Sequence, residues 1–197
     1  MTSSTNANST TDSESAKPKL KGRHIAILAT DGFEQSELLE PKRLLEEAGA
    51  QVSVIAPGGA KQIKSWDKKD WGKSVDVDVA LSEADASHYD ALVLPGGVMN
   101  PDKLRLEASA IELIKKFGKS GRPIAAICHG PWTLIEAELV KGFKMTSWPS
   151  LRKDLENAGA DWEDSEVVAD GQLITSRKPD DIPAFANALI EQLADKG

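Results

Sequence analysis

Cysteine is nearly absent from this chain: Cys128 is the only one in 197 residues. A lone thiol excludes an internal disulfide framework, and a reducing, cytoplasmic compartment is expected. Only three histidines accompany it, with no H-E-x-x-H string and no close histidine pair, so no metal site is expected. The G-x-G-x-x-G and Walker lysine patterns are also missing, which argues against a phosphate-cradling loop. Basic charge is the minority sign, 24 Lys and Arg against 31 Asp and Glu for a net charge of −7. Lys61, Lys64, Lys68, Lys69 and Lys73 are interleaved with Asp67 and Asp70. That stretch reads as a solvated loop, and no nucleic-acid partner is expected. No apolar run approaches the length needed to cross a bilayer, so no membrane partner is expected either.

Residues 1–19 are rich in Ser, Thr and Asn and carry no apolar run. They cannot offset the entropy of ordering and read as a disordered tail, with neither the apolar core of a secretory signal nor the arginines of a transit peptide. Residues 20–197 form one α/β domain, since a chain of this length buries one full core. Within it, His24 to Leu28, a helix over 36–47 and Val52 to Ala56 make one βαβ unit. Ala91 to Leu94, a helix over 108–119 and Pro123 to Ile127 make a second. The unbroken apolar character of these strands indicates burial on both faces, as in a parallel sheet. Val75 to Val79 alternates with period two as a half-exposed strand. Glu166 to Thr175 folds as a hairpin about Asp170-Gly171, and a last helix covers 179–193.

The chemistry gathers at the carboxyl ends of the strands, where open α/β sheets bind ligands. Cys128 breaks an apolar run into His129-Gly130-Pro131, a strand, elbow and helix in sequence. That elbow lifts the thiol off the sheet edge, where helix N–H groups favour the thiolate and lower its pKa to roughly 3.5–7.5. The other reading of a lone cysteine is an inert buried hydrophobe. Gly96-Gly97 ends another strand on the same edge, and its backbone N–H groups can approach a reacting oxygen closely. Glu34, after the first strand, is placed beside the sulfur as a protonated acid donating to it, or else at a helix N-terminus complementing the dipole. Sequence neighbours seldom form a nucleophile and base pair, but an elbow permits it for His129. Trp132 and Trp148 flank the nucleophile, and Trp66 and Trp71 lie in the long loop. They wall a small pocket or pack in a core or subunit interface.

Asp31-Gly32-Phe33-Glu34, Ala91 to Gly97, Ala126 to Pro131, Thr146 to Pro149 and Ser176 to Pro179 carry a resemblance. In order and spacing over about residues 23–194 the chain resembles the ThiJ/PfpI superfamily, most closely its PfpI-like branch of intracellular stress proteins. The resemblance implies a flavodoxin-like, doubly wound, mostly parallel α/β sandwich of the class I glutamine amidotransferase type. It implies a nucleophilic Cys128, a supporting Glu34 and an oxyanion site from the backbone of Gly97 and His129. It also implies a homo-oligomer of at least two subunits, with Asp102 of one chain orienting His129 of the next. The activity implied is a cofactor-independent one on reactive carbonyls, of glyoxalase or deglycase type, with an intracellular cysteine peptidase and a non-enzymatic redox sensor or chaperone as alternatives. The partner is then a small carbonyl substrate or a peptide.

Overall fold

The computed structural model describes residues 19–195. The expected tail lies outside the described residues except for Lys19. The strands are β1 (His24–Leu28), β2 (Gln51–Ala56), β3 (Gln62–Asp67), β4 (Asp70–Asp76), β5 (Val79–Ala80), β6 (Ala91–Leu94), β7 (Ile124–Ile127), β8 (Lys144–Met145), β9 (Asp161–Trp162), β10 (Val167–Asp170) and β11 (Leu173–Ser176). The helices are α1 (Gln35–Glu47), α2 (Met99–Leu104), α3 (Ala108–Ser120), α4 (Pro131–Glu136), α5 (Arg152–Asn157) and α6 (Ile182–Ala194). Seven strands form one sheet in the order β10-β11-β7-β6-β1-β2-β5. All its pairings are parallel except β10 with β11.

Every residue of β6 and β7 is buried, the consequence of helices on both faces. Alternate residues divide between two cores. Ala26, Leu28, Ile124 and Ala126 pack with Ile114 and Phe117 of α3. Ile25, Ile27, Ala125 and Ile127 pack with Leu38 and Leu45 of α1 and Phe185 and Leu189 of α6. Strand order reverses between β1 and β6. There the buried Asn100 side chain accepts from Thr30 N (2.8 Å) and donates to the carbonyls of Pro95 (2.9 Å) and Gly96 (3.2 Å), tying the two strand ends together at the ligand-binding edge.

The stretch over 61–73 corrects the solvated-loop reading, because β3 and β4 form an antiparallel hairpin. Its side chains are largely exposed, so no hydrophobic alternation marks it. Beyond Ile63, which is buried in the core, its hold on the domain is backbone and amide bonding: Trp66 N donates to Phe33 O (2.8 Å), Gly32 N to Lys64 O (2.8 Å), and Gln35 Oε1 accepts from Ser65 Oγ (3.0 Å) and Lys73 N (2.7 Å).

Candidate active site

Cys128 follows β7 in the left-handed region, at φ 62°, a conformation that costs a side-chain-bearing residue about 1–3 kcal/mol and persists only where its surroundings enforce it. Here its N–H donates to Ser176 O (3.0 Å), its carbonyl accepts from Trp148 N (2.9 Å), and Gly130 N turns back onto Ile127 O (2.8 Å). The turn is tight enough to require glycine at two places. A Cβ on Gly130 would stand 2.5 Å from Leu94 O, and one on Gly96 would stand 2.5 Å from Glu37 Oε2 and 2.7 Å from Cys128 Cβ.

The carboxylate against the sulfur is Glu37, not Glu34. Glu37 lies on the inner face of α1 with no exposed surface. Its Oε2 accepts from Gly96 N at 2.8 Å, Oε1 has no hydrogen-bond partner among the described residues, and the carboxyl interacts with the Cys128 thiol. Burial pushes the Glu37 carboxyl up to about 8, opposed by the Gly96 N–H and the thiol, so it holds its proton at neutral pH. Glu34 instead precedes α1, accepts from Ser36 Oγ at 3.2 Å and stands on the rim of the cavity above the sulfur. Burial raises its carboxyl as well, with the Ser36 hydrogen bonds opposing.

The thiol itself departs from the sequence reading. Burial pushes Cys128 up, and the neighbouring Glu37 carboxyl adds to this, while the N–H groups of Gly97 and His129 pull the other way. The helix that was to favour the thiolate, α4, is only six residues long, too short for its dipole to outweigh desolvation. At neutral pH the sulfur is therefore a thiol facing a carboxylic acid. His129 Nδ1 lies 3.2 Å from Sγ, because the left-handed turn swings adjacent side chains to one side. Burial lowers the His129 pKa, leaving an uncharged imidazole able to accept a proton.

Around this trio is a cavity of about 340 Å³, with Trp66, Lys68, Val98, Trp148 and Pro179 in its walls. Trp148 stacks over His129 at 6.0 Å between ring centroids. Trp132 does not wall the pocket. It sits edge-on behind His129 at 5.1 Å, donates Nε1–H to Asp154 at 3.0 Å, and lines a separate depression with Arg105. Trp71 is likewise outside the cavity, packed edge-on against Trp66. Asp102 is exposed on α2 and not brought to His129 of its own chain; its carboxylate makes no hydrogen bond or ion pair among the described residues. Trp66 stands in the wall, one of the two places the sequence offered it; Glu37, Val98 and Pro179 were the members sequence reasoning missed. A readable signal existed for Glu37: it shares a helical stripe with Leu38, Pro41 and Leu45, where a charge has no business unless partnered.

No group of three or more His, Cys, Asp or Glu able to hold a metal occurs among the described residues, and no helix among them is long and apolar enough to cross a membrane. A buried Cys, His and Glu at a strained elbow on a flavodoxin-like sheet coincides with a match of residues 23–192 to the DJ-1/PfpI family model. The chain belongs to the DJ-1/PfpI family. Among its relatives, the deglycase PfpI of Pyrococcus furiosus is 40% identical over 169 residues, covering 86% of this chain and 98% of that one. General stress protein 18 of Bacillus subtilis is 44% identical over 165 residues, covering 83% and 94%. Among solved structures of the family, DJ-1beta of Drosophila melanogaster superposes with a TM-score of 0.80 at 30% identity, over 87% of this chain and 90% of that one.

Proposed function

We propose that this DJ-1/PfpI protein is a cofactor-independent cysteine enzyme that converts reactive α-oxoaldehydes, free or as adducts, to hydroxy acids. The observation that carries the reading is the buried set of Cys128 Sγ, His129 Nδ1 at 3.2 Å and Glu37 held by Gly96 N–H, at the floor of a cavity. A volume of about 340 Å³ is at the small end of ligand sites, which run roughly 300–1,000 Å³. That suits a small carbonyl compound better than an extended peptide. Names of relatives such as the deglycase PfpI support the same chemistry.

The atoms balance without an outside oxidant. Sγ adds to the aldehyde carbon while His129 Nδ1 accepts the thiol proton and passes it to the aldehyde oxygen, giving a hemithioacetal. The N–H groups of Gly97 and His129, which face the sulfur, stabilise negative charge during that addition. Glu37, neutral through burial, hydrogen-bonds the sulfur during addition and gives it its proton when the thioester is later cleaved, recovering one from the attacking water, so that no bare charge develops in the low-dielectric floor. The hydrogen on the former aldehyde carbon then moves as a proton to the adjacent ketone carbon through an enediol. One carbon is oxidised and its neighbour reduced, leaving a hydroxy-thioester. Water cleaves it, returning the thiol and releasing the hydroxy acid.

With methylglyoxal as substrate, dicarbonyl loss and lactate gain are expected one for one. Cys128→Ala should abolish lactate formation while leaving the circular dichroism of the fold unchanged, since the side chain lost is small. Lactate from the Cys128→Ala protein at an undiminished rate would overturn the reading.

A further inference from the structure

The cavity is larger than a three-carbon dicarbonyl needs. Methylglyoxal has five heavy atoms, which fill no more than roughly 150 Å³ even at the ~30 Å³ that a water molecule occupies, against about 340 Å³ available. The surplus is lined by two indoles, Trp66 and Trp148, and by Val98 and Pro179, with Glu34 and Lys68 as the charged members of the rim. Val98 is 57% and Trp148 39% exposed. Large apolar side chains left open to water around one concavity mark a surface kept for a ligand.

The indoles are held in place. Trp66 donates Nε1–H to Lys68 O at 3.2 Å and is braced edge-on by Trp71, with ring centroids 5.7 Å apart. Its strand is bonded to the loop before α1 through Phe33 O. The Trp148 backbone N–H donates to the Cys128 carbonyl, and its ring stacks over His129. Rigid, preformed aromatic walls gain contact with a flat body without a cost of ordering. A three-carbon substrate leaves most of that surface untouched.

Building on the carbonyl-enzyme reading, we infer that the substrates are α-oxoaldehydes bearing a flat apolar body, which lies between Trp66 and Trp148 while the aldehyde meets Cys128. For phenylglyoxal the reaction is addition of one water to give mandelate, the aldehyde carbon oxidised and the adjacent carbon reduced.

The test compares kcat/KM for phenylglyoxal and methylglyoxal in the full chain. A ratio of about ten or more in favour of phenylglyoxal is expected, falling about ten-fold in Trp66→Ala and largely restored in Trp66→Phe. A second measurement needs no turnover: acetophenone, flat and without an aldehyde, should protect Cys128 from iodoacetamide at concentrations about ten-fold below those of acetone. Turnover of methylglyoxal with a ratio of one or less, or a ratio that neither Trp66→Ala nor Trp148→Ala changes, would overturn the inference and leave the carbonyl chemistry standing. Selective protection by acetophenone with neither oxoaldehyde consumed would uphold the pocket's preference and remove the carbonyl chemistry. Equal protection by the two ketones would overturn the inference whatever the turnover.

Discussion

Glu37→Gln is expected to make the protein more stable at neutral pH and, in the same substitution, to remove most of its turnover. Glu37 is fully buried and its carboxyl is pushed up to about 8, against about 4.3 in an unfolded chain. A group whose pKa is raised by folding stabilises the fold fully below its unfolded value, and that contribution is lost as pH rises toward the folded one. Between about pH 4 and pH 8 the native protein therefore loses stability on Glu37's account. By pH 7 the loss is about 4 kcal/mol, at 1.36 kcal/mol per unit. Glutamine has the same shape, keeps an oxygen for the Gly96 N–H, can turn its amide N–H toward the sulfur, and does not titrate. Urea unfolding of both proteins across this pH range should give curves that meet near pH 4 and separate toward pH 8 with the variant above. Because only the difference is read, the titration of His129 cancels. Turnover should fall about 10²-fold, the scale of a lost acid-base group. A variant less stable than the native protein at pH 7, or a difference independent of pH, would show that Glu37 is ionised in the fold.

Gly130→Ala should break the elbow itself. The added methyl would meet the backbone oxygens of Leu94 at 2.5 Å and Ile127 at 2.9 Å, neither of which can turn aside as a side chain would. Overpacking of this kind costs about 3 kcal/mol, which for a domain of this size lowers Tm by roughly 6–12 °C. The strand end must shift to admit it, and Cys128 with it. Calorimetry of the variant, together with its rate of Cys128 alkylation, checks both parts. A Tm within a degree or two of the native value would mean that the turn is looser than the contacts to Leu94 and Ile127 imply.

What could be read from the sequence was whatever local pattern dictates. β1, β6 and β7 are unbroken apolar runs because both their faces are covered, and the turn at Asp170-Gly171 is chemically specified. Cys128 stood out because the same apolar run ends in His-Gly-Pro. The β3–β4 hairpin was illegible because Phe33, Gln35 and the Gly32 backbone hold it, and those partners lie about thirty residues away. Glu34 and Glu37 are three residues apart, so position in the chain could not decide which one reaches the sulfur. Packing decides it, since Glu37 shares the inward stripe of α1 whereas Glu34 lies before its first turn. The direction of the thiol shift is illegible for a related reason: a helix start is visible in sequence, but the depth of burial that outweighs it is not.

The central claim is that the substrate is carried covalently on Cys128. Rapid mixing with methylglyoxal, an acid quench and mass spectrometry of the peptide containing Cys128 test it most directly. The account predicts an adduct of one dicarbonyl mass on that cysteine, decaying with the rate constant at which lactate appears, and absent in Cys128→Ala. Lactate released at the full rate with no adduct forming at Cys128 would contradict it.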